Sequence, residues 1–209
     1  MIKVSLLGDS ICLSGYGKVL PELLGENFEV FMPDDNCRFS KYTLRKLFDC
    51  KRLMAGSRIV HWNNGLWDMC NLFGDGPFSS EEEYVTNMLK IADILTQRYE
   101  KVIFATTTPV RPENVYDKND VIERYNALIV PLLREKGVII NDLYSLVAQD
   151  IYRYISKDNI HLSEDGIQLC AQQVASMIQT TAASLADLNP KTGTEVETTE
   201  AMPGAPIIL

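Results

Sequence analysis

Residues 1–15 read MIKVSLLGDSICLSG, and this stretch gives the first indication of the fold. The apolar run from Ile2 to Leu7 has the composition of a buried β-strand, and it stops at Gly8 and Asp9. Ser10 therefore stands directly after the predicted first strand, where glycine allows a sharp turn. A serine in this place is either a turn or capping residue or a candidate nucleophile.

Four further short apolar runs follow the first and are separated by segments of helical periodicity. They are Phe28 to Met32, Arg58 to Trp62, Lys101 to Thr106 and Gly137 to Ile140. Strands that alternate with helices are typical of a parallel sheet with crossover helices, and continuous apolar character indicates strands covered on both faces. The sequence predicts an α/β fold with a central parallel sheet of about five strands.

Helix-capping signatures support this alternation. Between strands three and four, Ser80 stands three residues before Glu83, which is the spacing of a capping box. A second helix is predicted over 120–135, where Pro131 must kink the helix or start a new first turn. Ser163 is suited to cap a last helix.

Composition limits the classes of protein that fit. The chain has 209 residues, of which 46% are hydrophobic and 23% charged, as expected for a single soluble domain. Its net charge of −8 disfavours nucleic acid and anionic membranes as partners. We expect one domain over 1–187 and a flexible tail over 188–209, which is rich in Thr, Glu, Pro and Gly. No secretory signal pattern opens the sequence, so a cytoplasmic location is expected.

Cofactor motifs are weakly represented. The five cysteines form no CxxC pair, and neither of the two histidines lies at metal-ligand spacing from a cysteine, so free thiols and no metal site are expected. No GxSxG or Walker A sequence occurs, and GYGKVL at 15–20 is an incomplete dinucleotide fingerprint. Nucleotide binding is therefore a poorly supported alternative.

A nucleophilic serine needs a base, and two histidines are available. His61 lies in the apolar run RIVHW and is expected to be a buried strand residue with a structural partner. His161 lies in the polar stretch KDNIHLS, and Asp158 precedes it by three residues. A turn over that interval can bring the carboxylate to the imidazole, as in a catalytic triad. The alternative is that the pair only caps the last helix.

The stretch HWNNGLWD at 61–68 follows the third predicted strand. The side-chain amide of Asn63 or Asn64 is suited to donate to an oxyanion, although Asn-Asn-Gly is also ordinary turn chemistry. Asn64, Trp67 and Arg111 are candidates for substrate contact, against ordinary core or solvent-facing roles.

Together these motifs resemble a known family. GDSI at 8–11 resembles the first block of the SGNH, or GDSL, hydrolases, and Asp158-x-x-His161 resembles their last block. The resemblance spans about 1–185 and implies a flavodoxin-like three-layer α/β/α sandwich. It also implies that Ser10 is the nucleophile, His161 the base and Asp158 the group that orients it.

The third block of the family reads Gly-x-Asn-Asp, and 61–64 matches it with both outer positions changed. The oxyanion asparagine of the family then falls on Asn63. In the second block, alignment of Asn36 and Thr43 places Lys41 where the family has a glycine whose N–H faces the oxyanion. The resemblance thus implies an oxyanion hole of Ser10, Lys41 and Asn63.

If Lys41 is displaced, a neighbouring amide of Ser40 or Arg38 is the alternative donor. A serine esterase of this type needs no metal or organic cofactor. The family includes carbohydrate O-deacetylases, lipases, lysophospholipases and thioesterases. We expect a short acyl group, most simply O-acetyl on a carbohydrate, because Trp62 and Trp67 flank the asparagines. The alternatives are a lipase or lysophospholipase-type acyl hydrolase and a catalytically inactive binding domain of the same fold.

Overall fold

The computed structural model describes residues 1–185, and the tail predicted over 188–209 lies outside the described residues. Five parallel strands form one sheet in the order β2-β1-β3-β4-β5. The strands are β1 Ile2–Leu7, β2 Phe28–Phe31, β3 Ile59–Asn63, β4 Lys101–Ala105 and β5 Ile139–Asn141. The predicted parallel sheet is confirmed, with every predicted strand present.

Helices connect the strands and cover both faces of the sheet. They are α1 Leu20–Leu24, α2 Ser40–Asp49, α3 Leu66–Met69, α4 Glu81–Arg98, α5 Asn119–Glu135, α6 Leu143–Ala148, α7 Ile151–Tyr154 and α8 Glu164–Ala183. Two irregular helical turns, over Ile11–Gly15 and Tyr16–Lys18, precede α1. Helices α1 and α8 pack together, and α2, α4 and α5 pack side by side in a second layer. Within residues 1–185, no helix is long and apolar enough to cross a membrane.

The two serines predicted to cap helices do so in the structure. Ser80 and Glu83 form a reciprocal capping box at the start of α4, and the Ser163 hydroxyl accepts the N–H of Gly166 at the start of α8. Helix α5 runs through Pro131 as one helix. Proline has no N–H, so the carbonyl of Ala127 lacks its usual donor. Both residues lie on the exposed face of α5, where water can replace that donor.

His61 is the most deeply buried titratable group of the sheet. It is fully buried in β3, and its Nε2 lies 3.4 Å from the Nδ2 amide of Asn141. Its Nδ1 has no hydrogen-bond partner in the described part of the chain. Burial lowers the pKa of His61 to about 3, so the imidazole is neutral at physiological pH.

This burial predicts an acid-sensitive stability. Unfolded His61 takes up a proton as the pH falls below about 6.5, whereas the folded protein does not until about pH 3, so acid favours unfolding. Between about pH 7.5 and about pH 5, we expect the wild type to lose about 2 kcal/mol more unfolding free energy than His61→Gln. Urea titrations at both pH values measure this difference. Parallel losses in the two proteins would show that His61 is not responsible.

Candidate active site

The parallel register brings the carboxyl ends of the central strands to one edge of the sheet. Leu7 of β1 pairs with Trp62 of β3, and Asn63 pairs with Ala105 of β4. The residues that follow these strands therefore share one crevice, which is where open parallel sheets usually bind ligands. Ser10 lies at this edge.

Ser10, His161 and Asp158 are in hydrogen-bond contact. The Nε2 atom of His161 lies 2.9 Å from Ser10 Oγ, and its Nδ1 lies 2.7 Å from Asp158 Oδ2. An ionised carboxylate can only accept, so Nδ1 carries the proton and Nε2 of a neutral ring is free to accept the Ser10 hydroxyl. Ser10 and His161, which are 151 positions apart in sequence, are thus within the hydrogen-bond distance that a serine nucleophile and its base require.

Asp158 is held as a carboxylate by several donors. Burial raises its pKa, but hydrogen bonds from the Ser156 hydroxyl, the N–H groups of Ile160 and His161 and the His161 ring outweigh this and bring the pKa well below its ordinary value. The side chain is 49% exposed, so these donors rather than an enclosed site fix its orientation. Neither Asp158 nor His161 caps α8, because Ser163 fills that position.

The loop that carries Asp158 and His161 is supported by Arg111. The guanidinium donates to the carbonyls of Ile155 at 2.9 Å and Tyr152 at 2.8 Å. Its Nε and Nη2 donors are thereby used within the protein, which gives Arg111 a structural role, and its contact with substrate stays a prediction. Its partners lie more than 40 positions away, so no local sequence pattern indicates them.

Asn63 is oriented by two buried residues. Its Nδ2 donates to Asp9 Oδ1 at 2.9 Å, and its Oδ1 accepts the Tyr16 hydroxyl at 3.1 Å. Within residues 1–185 the second hydrogen of the amide has no acceptor. Asp9 also accepts the N–H of Ile11, and burial raises its pKa to about 6, against the effect of these hydrogen bonds. Sequence reasoning had missed the roles of Asp9 and Tyr16.

Gly8 is required by the close approach of Asn63. A Cβ at position 8 would lie 2.0 Å from Asn63 Oδ1 and 2.5 Å from Cys12 Cβ. The backbone of Gly8 has no positive φ, so space rather than backbone conformation demands the glycine.

Asn64 points into the protein and joins β3 to the second block. Its Oδ1 accepts from Thr43 Oγ1 at 2.9 Å and Trp62 Nε1 at 2.8 Å, and its Nδ2 donates to the Arg38 carbonyl at 2.9 Å. The side chain is fully buried. These partners and the complete burial of the side chain give Asn64 a structural role, and its contact with substrate stays a prediction that they do not support.

Three backbone amides of the second block were candidates for the oxyanion. The N–H of Arg38 donates to Asn36 Oδ1 at 2.7 Å, and the N–H of Ser40 donates to Asp68 Oδ2 at 2.9 Å. The N–H of Lys41, in the first turn of α2, has no acceptor in the described chain. Lys41 is thus the candidate whose amide is available.

Asp68 is a buried carboxylate that fixes the start of α2. It accepts the N–H and hydroxyl of Ser40 and, at 2.8 Å, the hydroxyl of Ser79 just ahead of α4. Burial raises its pKa, and the hydrogen bonds from the two serines oppose that rise. Its neighbour Trp67 is 42% exposed on α3. Among residues 1–185 all five cysteines are free and buried, and no cluster of His, Cys, Asp or Glu is suited to hold a metal ion.

The steric role of Gly8 can be tested by adding one methyl group. We expect Gly8→Ala to lower the unfolding free energy by about 3 kcal/mol because Asn63 must be displaced from a packed interior. Gly74→Ala is the matched control, since its Cβ meets nothing within 4 Å and only its φ of 80° is unfavourable. Urea unfolding should show a loss of about 1 kcal/mol for this control. Equal losses in the two variants would contradict the steric role.

The chain is similar in sequence to a known esterase. No protein-family model matches the chain. The chain is 23% identical over 194 residues to the GDSL esterase/lipase WDL1 of Oryza sativa subsp. japonica, and the match covers 84% of this chain and 75% of that protein.

Solved structures share the fold at low sequence identity. A lipase/acylhydrolase from Enterococcus faecalis superposes with a TM-score of 0.70 at 21% identity, covering 87% of this chain and 97% of that one. The acetyl xylan esterase AlAXEase superposes with a TM-score of 0.71 at 18% identity, covering 85% of this chain and 100% of that one. The chain is thus similar in sequence to a GDSL esterase/lipase, and it shares its fold with a lipase/acylhydrolase and an acetyl xylan esterase.

Proposed function

We propose that the protein is a serine esterase that removes short acyl groups, most simply O-acetyl groups from carbohydrate, through an acyl-enzyme. The observation that carries the proposal is the pair of contacts of His161, 2.9 Å to Ser10 Oγ and 2.7 Å to Asp158 Oδ2. Ser10 Oγ attacks the ester carbonyl while its proton passes to His161 Nε2. The imidazolium then returns this proton to the leaving alcohol as the carbon–oxygen bond of the ester breaks.

Water completes the cycle. It attacks the acyl carbonyl on Ser10, its proton passes to His161, and the acid leaves as the proton returns to Ser10 Oγ. Asp158 keeps the ring in the required tautomer and stabilises the imidazolium in both halves of the cycle. No step in this sequence calls for a metal or an organic cofactor.

The tetrahedral oxyanion of each step needs preorganised donors. We assign these to the N–H groups of Ser10 and Lys41 and to the unpaired amide hydrogen of Asn63. In the described chain, none of the three donors has an acceptor. Asp9 and Tyr16 hold the Asn63 amide from both ends, so it does not reorganise as charge develops.

Two observations bear on the acyl and alcohol parts of the substrate. One solved structure of the same fold is an acetyl xylan esterase, which supports an acetylated sugar. The lipase-type alternative is favoured by Leu72 and Phe73, which are 47% and 82% exposed in the loop after α3. Acyl-chain preference distinguishes the two.

Hydrolysis of p-nitrophenyl acetate, butyrate and octanoate tests the reaction. We expect kcat/KM to fall with acyl length, and Ser10→Ala to lower turnover of the acetate by at least about a thousandfold because the nucleophile is lost. Circular dichroism of the variant controls for folding. Rising activity with acyl length would favour the lipase-type enzyme, and unchanged activity in Ser10→Ala would overturn the serine mechanism.

The oxyanion assignment predicts a specific kinetic defect. Asn63→Ala should lower kcat for p-nitrophenyl acetate by about a hundredfold to a thousandfold, with little change in KM, because the lost donor acts mainly in the transition state. Urea unfolding establishes a concentration and temperature at which the variant is folded. Full turnover by folded Asn63→Ala would remove Asn63 from the oxyanion hole.

A further inference from the structure

A cleft opens between the first turns of α2 and α4. Its volume is about 300 Å³, and it is lined by Phe39, Lys41, Phe78, Glu82, Thr86 and Asn87, among others. Helix α2 follows β2 and helix α4 runs back to the start of β4, so both helices begin at the edge of the sheet that carries Ser10. The cleft therefore belongs to the same side of the molecule as the candidate active site.

Lys41 connects the cleft to the candidate oxyanion hole. Its backbone N–H is the available amide of the second block, and its side chain lines the cleft. A substrate whose carbonyl oxygen accepts this N–H has its neighbouring groups beside the cleft. From this placement we infer that the cleft binds the alcohol part of the ester, and that this alcohol is an uncharged, hydroxyl-bearing ring such as a sugar. The inference rests on the proposed esterase function.

One wall of the cleft is aromatic. The rings of Phe39 and Phe78 meet edge to face with centroids 5.4 Å apart, and Phe78 is 49% exposed. Contact with Phe39 fixes the orientation of the Phe78 ring without covering it. An exposed aromatic surface of this kind suits the apolar C–H face of a sugar ring.

The other walls offer both donors and acceptors. Lys41 supplies an ammonium donor, and Glu82 supplies a carboxylate acceptor. The Asn87 amide donates to Ser40 Oγ at 3.2 Å, which leaves its carbonyl oxygen and second hydrogen for a ligand. Hydroxyl groups both donate and accept, so several of them on one ring match such a lining.

Charge and polarity disfavour other occupants. The cleft lining contains one cation, Lys41, and two carboxylates, Glu82 and Glu83, so an anionic phosphate or carboxylate group is disfavoured. A long acyl chain would desolvate these polar groups without pairing them. An uncharged polyol carries no negative charge, and its hydroxyl groups can pair with the polar groups of the lining.

The cleft is held in shape by interactions of its own. Glu83 accepts the N–H of Ser80 in the capping box of α4, and Asp68 binds both Ser40 and Ser79 on either side of the cleft. Binding then costs little ordering of the walls, which favours affinity.

Two acetate esters test the inference. We would measure kcat/KM on O-acetylated xylooligosaccharide, which carries ring hydroxyls, and on p-nitrophenyl acetate, which does not. In Phe78→Ala and Asn87→Ala, we expect the ratio of the first value to the second to fall at least about tenfold. The matched control is Phe48→Ala, because Phe48 is 64% exposed at the far end of α2, and its ratio should stay within about twofold of wild type. An unchanged ratio in both cleft variants would overturn the inference.

A binding measurement separates this inference from the esterase proposal. We would titrate xylotetraose, which has hydroxyls and no acyl group, into the Ser10→Ala protein by calorimetry. Binding that weakens at least about fivefold with an added Phe78→Ala change supports the cleft even if neither ester is hydrolysed. Absence of binding, or binding that Phe78→Ala does not weaken, would contradict the role of the cleft in sugar binding. The esterase proposal is contradicted by a different result, namely hydrolysis that is absent or independent of Ser10.

Discussion

Parallel pairing of β1 with β3 is the constraint on which the candidate site depends. Leu7 lies opposite Trp62, so the next residues of the two strands, Gly8 and Asn63, are neighbours across the sheet. The Asn63 amide oxygen occupies the space that a Cβ at position 8 would take, so the amide fits there because that residue is glycine. The Gly8 carbonyl then accepts the Cys37 N–H at 2.9 Å, which ties the second block to the same edge.

The elements of the fold were predictable because their signals are local. The apolar runs fixed the five strands, and the spacing of Ser80 and Glu83 fixed the start of α4. Roles that depend on distant partners were not predictable. Asn64 looks the same in sequence whether its amide faces a substrate or pairs with Thr43, and only the packing of α2 against the sheet decides this. Arg111 looks equally free until α7 is placed beside it.

The triad and the oxyanion donors differ in how much the sequence could say. Order and spacing identified Ser10, Asp158 and His161 as candidates, and the structure places their side chains in contact. Asp9 was predicted only to end a strand, because nothing in GDSI indicates that a carboxylate is buried against Asn63. Its buried state is a tertiary property that no local pattern encodes.

Asp9 and Asp158 are two carboxylates that interact electrostatically with His161, and hydrogen bonds favour the charged form of each. Burial raises the pKa of Asp9 to about 6, so most of this group is ionised at neutral pH, and attraction to His161 is among the effects that lower it. Asp158 is more exposed and holds its charge through hydrogen bonds. In the proposed reaction the Asp158 carboxylate stabilises the imidazolium as it forms. Asp9 would also repel a nearby oxyanion, which gives the amide of Asn63 a second function, because its hydrogen bond to Asp9 neutralises part of that charge.

Lys41, at the position where the resemblance implies a glycine, is compatible with this arrangement because the proposed reaction uses only the backbone N–H of that residue. The first N–H groups of a helix have no intrahelical acceptor, so a long side chain at this position adds a contact without removing the donor. The strained position of the segment is Arg38, whose φ of 51° lies in the left-handed region and costs about 1 kcal/mol. Hydrogen bonds of its N–H to Asn36 and of its carbonyl to Asn64 offset that cost. The second block thus offers the free backbone N–H that the proposed oxyanion hole needs, and the same residue lines the cleft.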